Sequence, residues 1–229
     1  MSPRPVDPNL RPQLIDAAAK LLGEEGPAAL STRKLAAMVG TSTTAVYTYF
    51  GGMDDLVRAM VHEGFRLLGD RMRAVEESDD PVADVLALGW AYRDNAREHW
   101  HLYNVMFGGS GLSGFSLTDA DRQHGRYTLD ILVGAVKRCA ATGRFRPFDP
   151  ELVAHQLWIA LHGLVTLDLG GYLVEPNTAD VCFEAQVSGM ILGAGDDPQR
   201  AQESLARAAQ RRGGGPRGGR PPHPGGKQN

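Results

Sequence analysis

The chain has 229 residues, enough for one or two domains with a sizeable buried core. Hydrophobic residues make up 42% and charged residues 22%, close to the globular average, which excludes a disordered or fibrous chain. The formal net charge of -3 announces no nucleic-acid binder by itself, and two cysteines, Cys139 and Cys182, are too few for a disulfide framework or a four-thiolate metal site.

No run approaches about 18 uninterrupted apolar residues, and the opening MSPRPVDPNLR lacks the apolar segment of a secretory signal. A soluble, cytoplasmic protein with no membrane partner is expected. From residue 9 to 195 apolar residues recur at spacings of three and four, the helical period, and no sustained period-two alternation argues for a sheet. The predicted class is all-α, with about nine helices. Leu14, Ala18, Leu21 and Leu22 mark a first helix stopped by Gly23 and Gly26. Ser31 to Phe50 divides into two short helices around Gly40. A long helix starts near Asp54 and runs through Leu56, Met60, Leu67, Leu68, Met72 and Val75. Further helical runs cover about 82–97, 100–107, 119–142, 150–170 and 178–193.

Two starts are well defined. In Asp149-Pro150-Glu151 an acid caps, proline occupies the first helical position and a carboxylate sits in the first turn. Thr118 followed by Asp121 offers a similar arrangement for the run through Leu129, Leu132, Val133 and Val136.

Charge is unevenly placed. Residues 151–197 carry seven acidic and no basic side chains, whereas 198–229 carry seven basic and one acidic, so the body without that stretch has a net charge of -9. From Arg211 onward the chain holds seven glycines and four prolines in nineteen residues. Residues 196–229 are therefore expected to be a disordered, basic, Gly/Pro-rich tail.

The most specific stretch is Ser31–Phe50, STRKLAAMVGTSTTAVYTYF. Ser31 or Thr32 can cap its first helix, Leu35, Ala36 and Val39 face inward, and Gly40 supplies a left-handed turn. Ser42 can cap a second helix whose Val46 and Phe50 pack back. Outward positions of that second helix are Thr43, Thr44, Tyr47 and Thr48, with Tyr49 at its end. Such side chains suit phosphate oxygens, base edges and thymine methyls. The pattern alone fits either a helix-turn-helix or a helical hairpin with a solvated polar face.

Leu14-Ile15-Asp16-Ala17-Ala18, Leu21-Leu22-Gly23-Glu24-Glu25-Gly26 and Ala29-Leu30-Ser31 precede this stretch, and Leu56 follows it. With them, residues 10–60 resemble the N-terminal DNA-binding domain of the TetR family of transcriptional regulators. Ala91-Tyr92, Tyr103 to Gly108 and Leu157 to Val165 look like a C-terminal subgroup with a Trp-x-x-x-His-Gly signature, here Trp158, His162 and Gly163. The resemblance implies a helix-turn-helix DNA-binding domain over 9–52 and a helical ligand-binding and dimerisation domain over 53–195.

It also implies that Thr32 and Arg33 meet backbone phosphates and that Thr43, Thr44, Tyr47, Thr48 and Tyr49 face the major groove, with Ser42 also among the DNA-binding residues. Where the family commonly has a lysine at the start of the fourth helix, this chain has Met53, and Arg58 is the nearest cation that could substitute. Arg4 and Arg11 could form an arm toward a neighbouring groove. The implied partners are a palindromic double-stranded operator, a small, largely hydrophobic effector and a second copy of the chain. Release of the operator by the effector is the expected mode, with no enzyme activity and no cofactor. Effector contacts are expected from Trp90, Tyr103, Phe107, Tyr127, Trp158 and His162. Helices 150–170 and 178–193 are apolar nearly all round, with small Ala160, Gly163, Ala185, Ser188 and Gly189 permitting close approach, and are expected to pair as a four-helix bundle.

The sequence admits two other readings. Gly109-Ser110-Gly111-Leu112-Ser113-Gly114 formally matches a dinucleotide fingerprint, but no strand precedes it. His155 and His162 lie about 10.5 Å apart along a helix axis, and His99 and His101 point to different sides, so neither pair chelates a metal. A helical small-molecule-binding enzyme built on that loop and those histidines, or a regulator relative that no longer binds DNA, is the alternative.

Overall fold

The structure, a computed structural model, describes residues 8–107, 115 and 117–212. Among these no strand occurs. The helices are α1 (Leu10–Glu25), α2 (Thr32–Val39), α3 (Thr43–Phe50), α4 (Met53–Arg73), α5 (Pro81–Glu98), α6 (Trp100–Met106), α7 (Asp119–His124), α8 (Arg126–Ala141), α9 (Pro150–Leu169), α10 (Ala179–Gly193) and α11 (Pro198–Arg212), with a 3-10 turn at Pro27–Ala29. The glycine-rich stretch 109–114, Arg4 and residues 213–229 lie outside the described residues.

The chain forms two compact units. The first comprises the chain up to Arg66 together with His99–Gly125, and the second comprises Leu67–Glu98 and everything from Arg126 onward. In the first unit α1, α2 and α3 bury Leu14, Ile15, Leu21, Leu35, Val46 and Phe50 with Leu56 and Met60 of α4. The boundary expected at residue 52 therefore moves, because the first half of α4 and all of α6 and α7 belong with the helix-turn-helix. Two glycines explain this. The imidazole of His101 on α6 lies where a side chain at Gly23 would stand, 2.5 Å from its Cβ position, so α1 runs through Gly23 and ends only before Gly26. At Gly125 the ring of Phe65 fills the same space at 2.1 Å, and there the run expected over 119–142 divides into α7 and α8.

The starts at Thr118 and Asp149 form as expected. Thr118 Oγ1 accepts from the Asp121 N–H at 3.1 Å while Asp121 accepts from the Thr118 N–H at 2.9 Å, a closed capping box. Asp149 accepts from the Glu151 N–H at 3.0 Å with Pro150 in the first position.

In the second unit α5, α8, α9 and α10 bury Val82, Leu86, Val133, Val136, Leu157, Val165, Phe183 and Ile191. The larger correction concerns residues 198–212, expected to belong to a disordered tail: they form α11, packed on α5. Its buried stripe is only Ala201, Ser204 and Ala208, too small to register as an apolar face. Charge holds it instead. Asp80 caps α5 through the Ala83 N–H at 3.1 Å and accepts from Ser204 at 2.8 Å, Arg144 at 3.1 Å and Arg207 at 2.9 Å. Arg144 also grips Asp196 through two bonds of 2.5 and 2.6 Å. Asp84 receives Arg138 at 2.7 Å and Arg211 at 2.6 Å, and Arg212 reaches Asp94 at 3.0 Å. Three arginines of the stretch expected to be a disordered tail, Arg207, Arg211 and Arg212, are thus partners of the acidic body.

Burial works against ionisation of Asp80 and Asp84, but hydrogen bonds from Ser204 and Ala83, and from Ser78, with the adjoining arginines, hold both below the usual carboxylate range. Their stabilisation is therefore complete above about pH 4 and is lost as pH falls through their lower folded values. Asp80→Ala removes one of the two carboxylates paired with buried Arg144, together with the partner of Ser204 and Arg207, and should cost about 3 to 5 kcal/mol in urea denaturation at pH 7. The deficit should shrink when both proteins are unfolded near pH 3.

Candidate nucleic-acid interface

Helix α2 is capped by Ser31, whose Oγ accepts from the Lys34 N–H at 3.3 Å. It ends at Gly40, which takes the left-handed conformation (φ 69°, ψ 34°), and the Thr41 N–H closes back on the Ala36 carbonyl at 2.8 Å. Ser42 then caps α3, its Oγ accepting from the Ala45 N–H at 3.1 Å. Buried Ala36, Val46 and Phe50 fix the crossing, so the rotation of α3 about its axis is set by which residues must be inside.

That rotation leaves Ser42, Thr43, Thr44, Tyr47 and Thr48 exposed and Tyr49 half-buried against Phe50, at 6.3 Å between rings. Tyr47 is 53% exposed, an unusual amount for a tyrosine on a packed helix. The hydroxyls are not equivalent. Thr48 Oγ1 donates to the Thr44 carbonyl at 2.9 Å, so its proton is occupied, and Ser42 accepts from the backbone but keeps its own proton to donate. A phosphate oxygen only accepts, so Ser42 can serve one and Thr48 cannot without breaking its internal bond.

Thr32 is half-buried and Arg33 exposed at the start of α2, and Arg33 makes no ion pair among the described residues. Lys34 is spent on Glu25. Arg11 lies over the Phe50 ring at 5.5 Å, a contact of α1 with the end of α3 that spacing alone does not reveal. Met53 opens α4 beside Asp54 and Asp55. Arg58 is not poised as a substitute cation, since its Nε sits 3.1 Å from Asp121 and its Nη1 2.5 Å from Asp55.

The six residues expected to touch an effector do not all come together. Tyr103 and Phe107 lie in the first unit with rings 5.4 Å apart, and Phe107 meets Phe65 edge-on at 5.6 Å. In the second unit Trp158 and His162 are neighbours at 6.2 Å. His162 Nδ1 is 3.3 Å from the hydroxyl of Tyr92, a residue not among the six although it flanks the quoted Ala91. Burial lowers the pKa of His162, so its ring is neutral at pH 7. Trp90 lies elsewhere in that unit, covered by Phe183 at 3.8 Å and by the Arg212 guanidinium at 3.6 Å. Tyr127 packs on Gly69 beneath Arg73. A groove of about 530 Å³ is lined by Ser78, Asp80, Arg207 and Arg211, charges already paired with one another and ill suited to an apolar molecule. No cluster of three or more metal-ligating side chains occurs among the described residues.

The chain matches the family model "Bacterial regulatory proteins, tetR family" over residues 14–60 and "Tetracyclin repressor-like, C-terminal domain" over residues 85–190. It is 26% identical over 189 residues to an uncharacterized HTH-type transcriptional regulator of Mycobacterium tuberculosis, covering 80% of each chain. It is 30% identical over 97 residues to the HTH-type transcriptional regulator BetI of Brucella canis, covering 41% of this chain and 49% of that one. Among solved structures, a protein of unknown function from Rhodococcus sp. RHA1 superposes with a TM-score of 0.71 at 28% identity, over 86% of this chain and all of that one.

The turn and the cap make separable contributions. Ser42→Ala should cost about 1 kcal/mol of stability by removing the α3 cap. Gly40→Ala should cost about 1 to 2 kcal/mol through its left-handed backbone, although a Cβ there meets nothing within 4 Å. Urea titrations followed by circular dichroism measure both.

Proposed function

The chain belongs to the TetR family of DNA-binding transcriptional regulators, and from that membership we propose that it is a homodimeric repressor released from a palindromic operator by a small, largely hydrophobic molecule. The observation that carries this reading is the face of α3: exposed, uncharged and hydroxyl-rich on a helix whose other face is locked inward. A helix without charge gains little from phosphates in general, so its affinity must come from fitted contacts in the major groove. Arg33 and Thr32 supply the positioning contacts on the backbone, joined by the donating hydroxyl of Ser42. Thr43, Thr44, Tyr47 and Tyr49 read the groove, and Thr48 supports Thr44.

The dimer reading rests on α9 and α10. Leu152, Ile159 and Leu167 on α9 are 57%, 62% and 46% exposed, and Val181 and Leu192 on α10 are 50% and 40% exposed. By length and composition α9 could also cross a membrane, yet its apolar side chains are matched by apolar ones on the neighbouring α10. A second copy placed about a two-fold axis covers both helices at once. It presents two α3 helices to half-sites roughly 34 Å apart. For the effector, the half-buried Trp158 and His162 and the buried Tyr92 combine apolar walls with a polar pair, the composition of a small-molecule site.

Electrophoretic shift against the DNA flanking the protein's own coding region tests the whole reading, with a salt-sensitive, palindrome-dependent shift as the expected result. Absence of any shift at low salt overturns it. Tyr47→Ala should weaken specific binding tenfold or more, given roughly 1 to 3 kcal/mol for a good groove contact. Thr48→Ala should matter less. Ile159→Asp should convert the dimer to a monomer in light scattering, with helicity retained and binding to the palindrome lost. Thermal-shift screening of small apolar and aromatic compounds identifies the effector class, since bound ligand raises the melting temperature by mass action.

A further inference from the structure

In the first unit one polar cluster lies away from the α3 face. His62 on α4 and His124 on α7 stack with ring centroids 3.7 Å apart and planes inclined by 17°. Beside them, buried Asp121 of α7 accepts from Arg58 Nε at 3.1 Å and lies 3.6 Å from His62 Nε2. Its other oxygen is occupied by the Thr118 backbone and hydroxyl at 2.9 and 2.7 Å. The same carboxylate that closes the capping box of α7 thus ties this six-residue helix to α4, and the two imidazoles complete the joint.

We propose that the stacked imidazoles of His62 and His124 form a proton-operated latch between α4 and α7, so that acidification loosens the DNA-binding unit and weakens its hold on operator. This rests on the DNA-binding reading above. Two neutral imidazoles stack favourably through their faces. A first proton is tolerated, because Asp121 faces His62. A second places two like charges less than 4 Å apart with the Arg58 guanidinium alongside, and Asp121 has no further oxygen to offer. The charged groups facing the stack are Arg58 from α4 and Asp121 from α7, while Glu63 on α4 is taken by Arg66 at 2.6 Å. Burial, then His124, lower the pKa of His62 below the usual imidazole value against the opposing pull of Asp121. The latched state therefore binds fewer protons than the released one, and attachment is complete above about pH 6.5 and decays as pH falls below it.

Helix α4 follows the end of α3 after only Gly51 and Gly52, and its Leu56 and Met60 are part of the core that orients α3. Freeing α4 on its outer side lets that core fluctuate, and binding DNA must then order it again. The direction is diagnostic, since added positive charge by itself strengthens attraction to phosphate.

A duplex selected from random sequence by the protein at pH 7.5 serves as the probe. Wild-type affinity should fall about tenfold or more between pH 7.5 and pH 5.0, with far-UV helicity unchanged. His124→Phe keeps a ring in the stack that cannot charge, and its affinity should stay within about twofold over the same range. By NMR, the His62 imidazole should gain its proton at a higher pH in His124→Phe than in the wild type, because the neighbouring ring no longer opposes its charge. An affinity that is flat or rises on acidification, or a His124→Phe protein that loses affinity as the wild type does, overturns the latch. In the second case half-buried His101, elsewhere in the unit, becomes the source. Failure to select any duplex at pH 7.5 overturns the DNA-binding reading instead, and the imidazole titration still decides whether the latch exists.

Discussion

An eight-residue helix does not persist in water by itself, because nucleation consumes most of what so few hydrogen bonds return. Helix α3 persists because Val46 and Phe50 are drawn into a core made by α1, α2 and α4, and because Ser42 and Gly40 fix where it begins and how it leaves α2. The exposed face is a consequence. Once two apolar residues four apart are buried, 3.6 residues per turn dictate that Thr44 and Thr48 stand opposite them and Tyr47 to one side, while Thr43 is exposed as the first residue of the helix. The exposed surface of α3 is therefore specified by the residues that do not belong to it.

The second unit is organised by a different force. Its α5 begins with two carboxylates, Asp80 and Asp84, almost fully removed from solvent, and buried charge without partners is among the most destabilising features a fold can carry. Arg138, Arg144, Arg207 and Arg211 answer it from the α8 region and α11. Such a network adds little net free energy compared with an apolar core of the same volume, but it punishes misplacement heavily, so it fixes register. That explains how α11, with alanines and a serine as its only buried residues, holds one defined position.

Sequence patterning found what packing periodicity controls. The helix-turn-helix, its caps and glycine turn, and the starts at Thr118 and Asp149 all follow from local rules, and all are present. What it missed depends on distant partners. Helix α11 has no apolar stripe to detect, and its arginines resembled a solvated tail until Asp80 and Asp84 were seen beside them. The continuation of α1 through Gly23 and the break at Gly125 depend on His101 and Phe65, whose approach no local window records. Arg58 illustrates the limit for the candidate site. By position it is a cation near the expected interface, but Asp121, 63 residues further on, claims it.

The single chain leaves two surfaces with opposite deficits. One is the outer side of α9 and α10, where Ile159 at 62% exposed and Leu152 at 57% stand among small residues with no basic side chain between residues 151 and 197. Apolar area of this kind is unfavourable in water at roughly 25 cal/mol per Å² and is relieved by any apolar partner of matching shape. The other is α3, where hydroxyls are well hydrated and nothing is gained by covering them unless every hydrogen bond is returned. The first surface can therefore be satisfied by shape alone. The second demands a partner with a fixed pattern of donors and acceptors. The two faces therefore set different conditions on whatever covers them: matching apolar shape for the first, a matching order of hydrogen-bonding groups for the second.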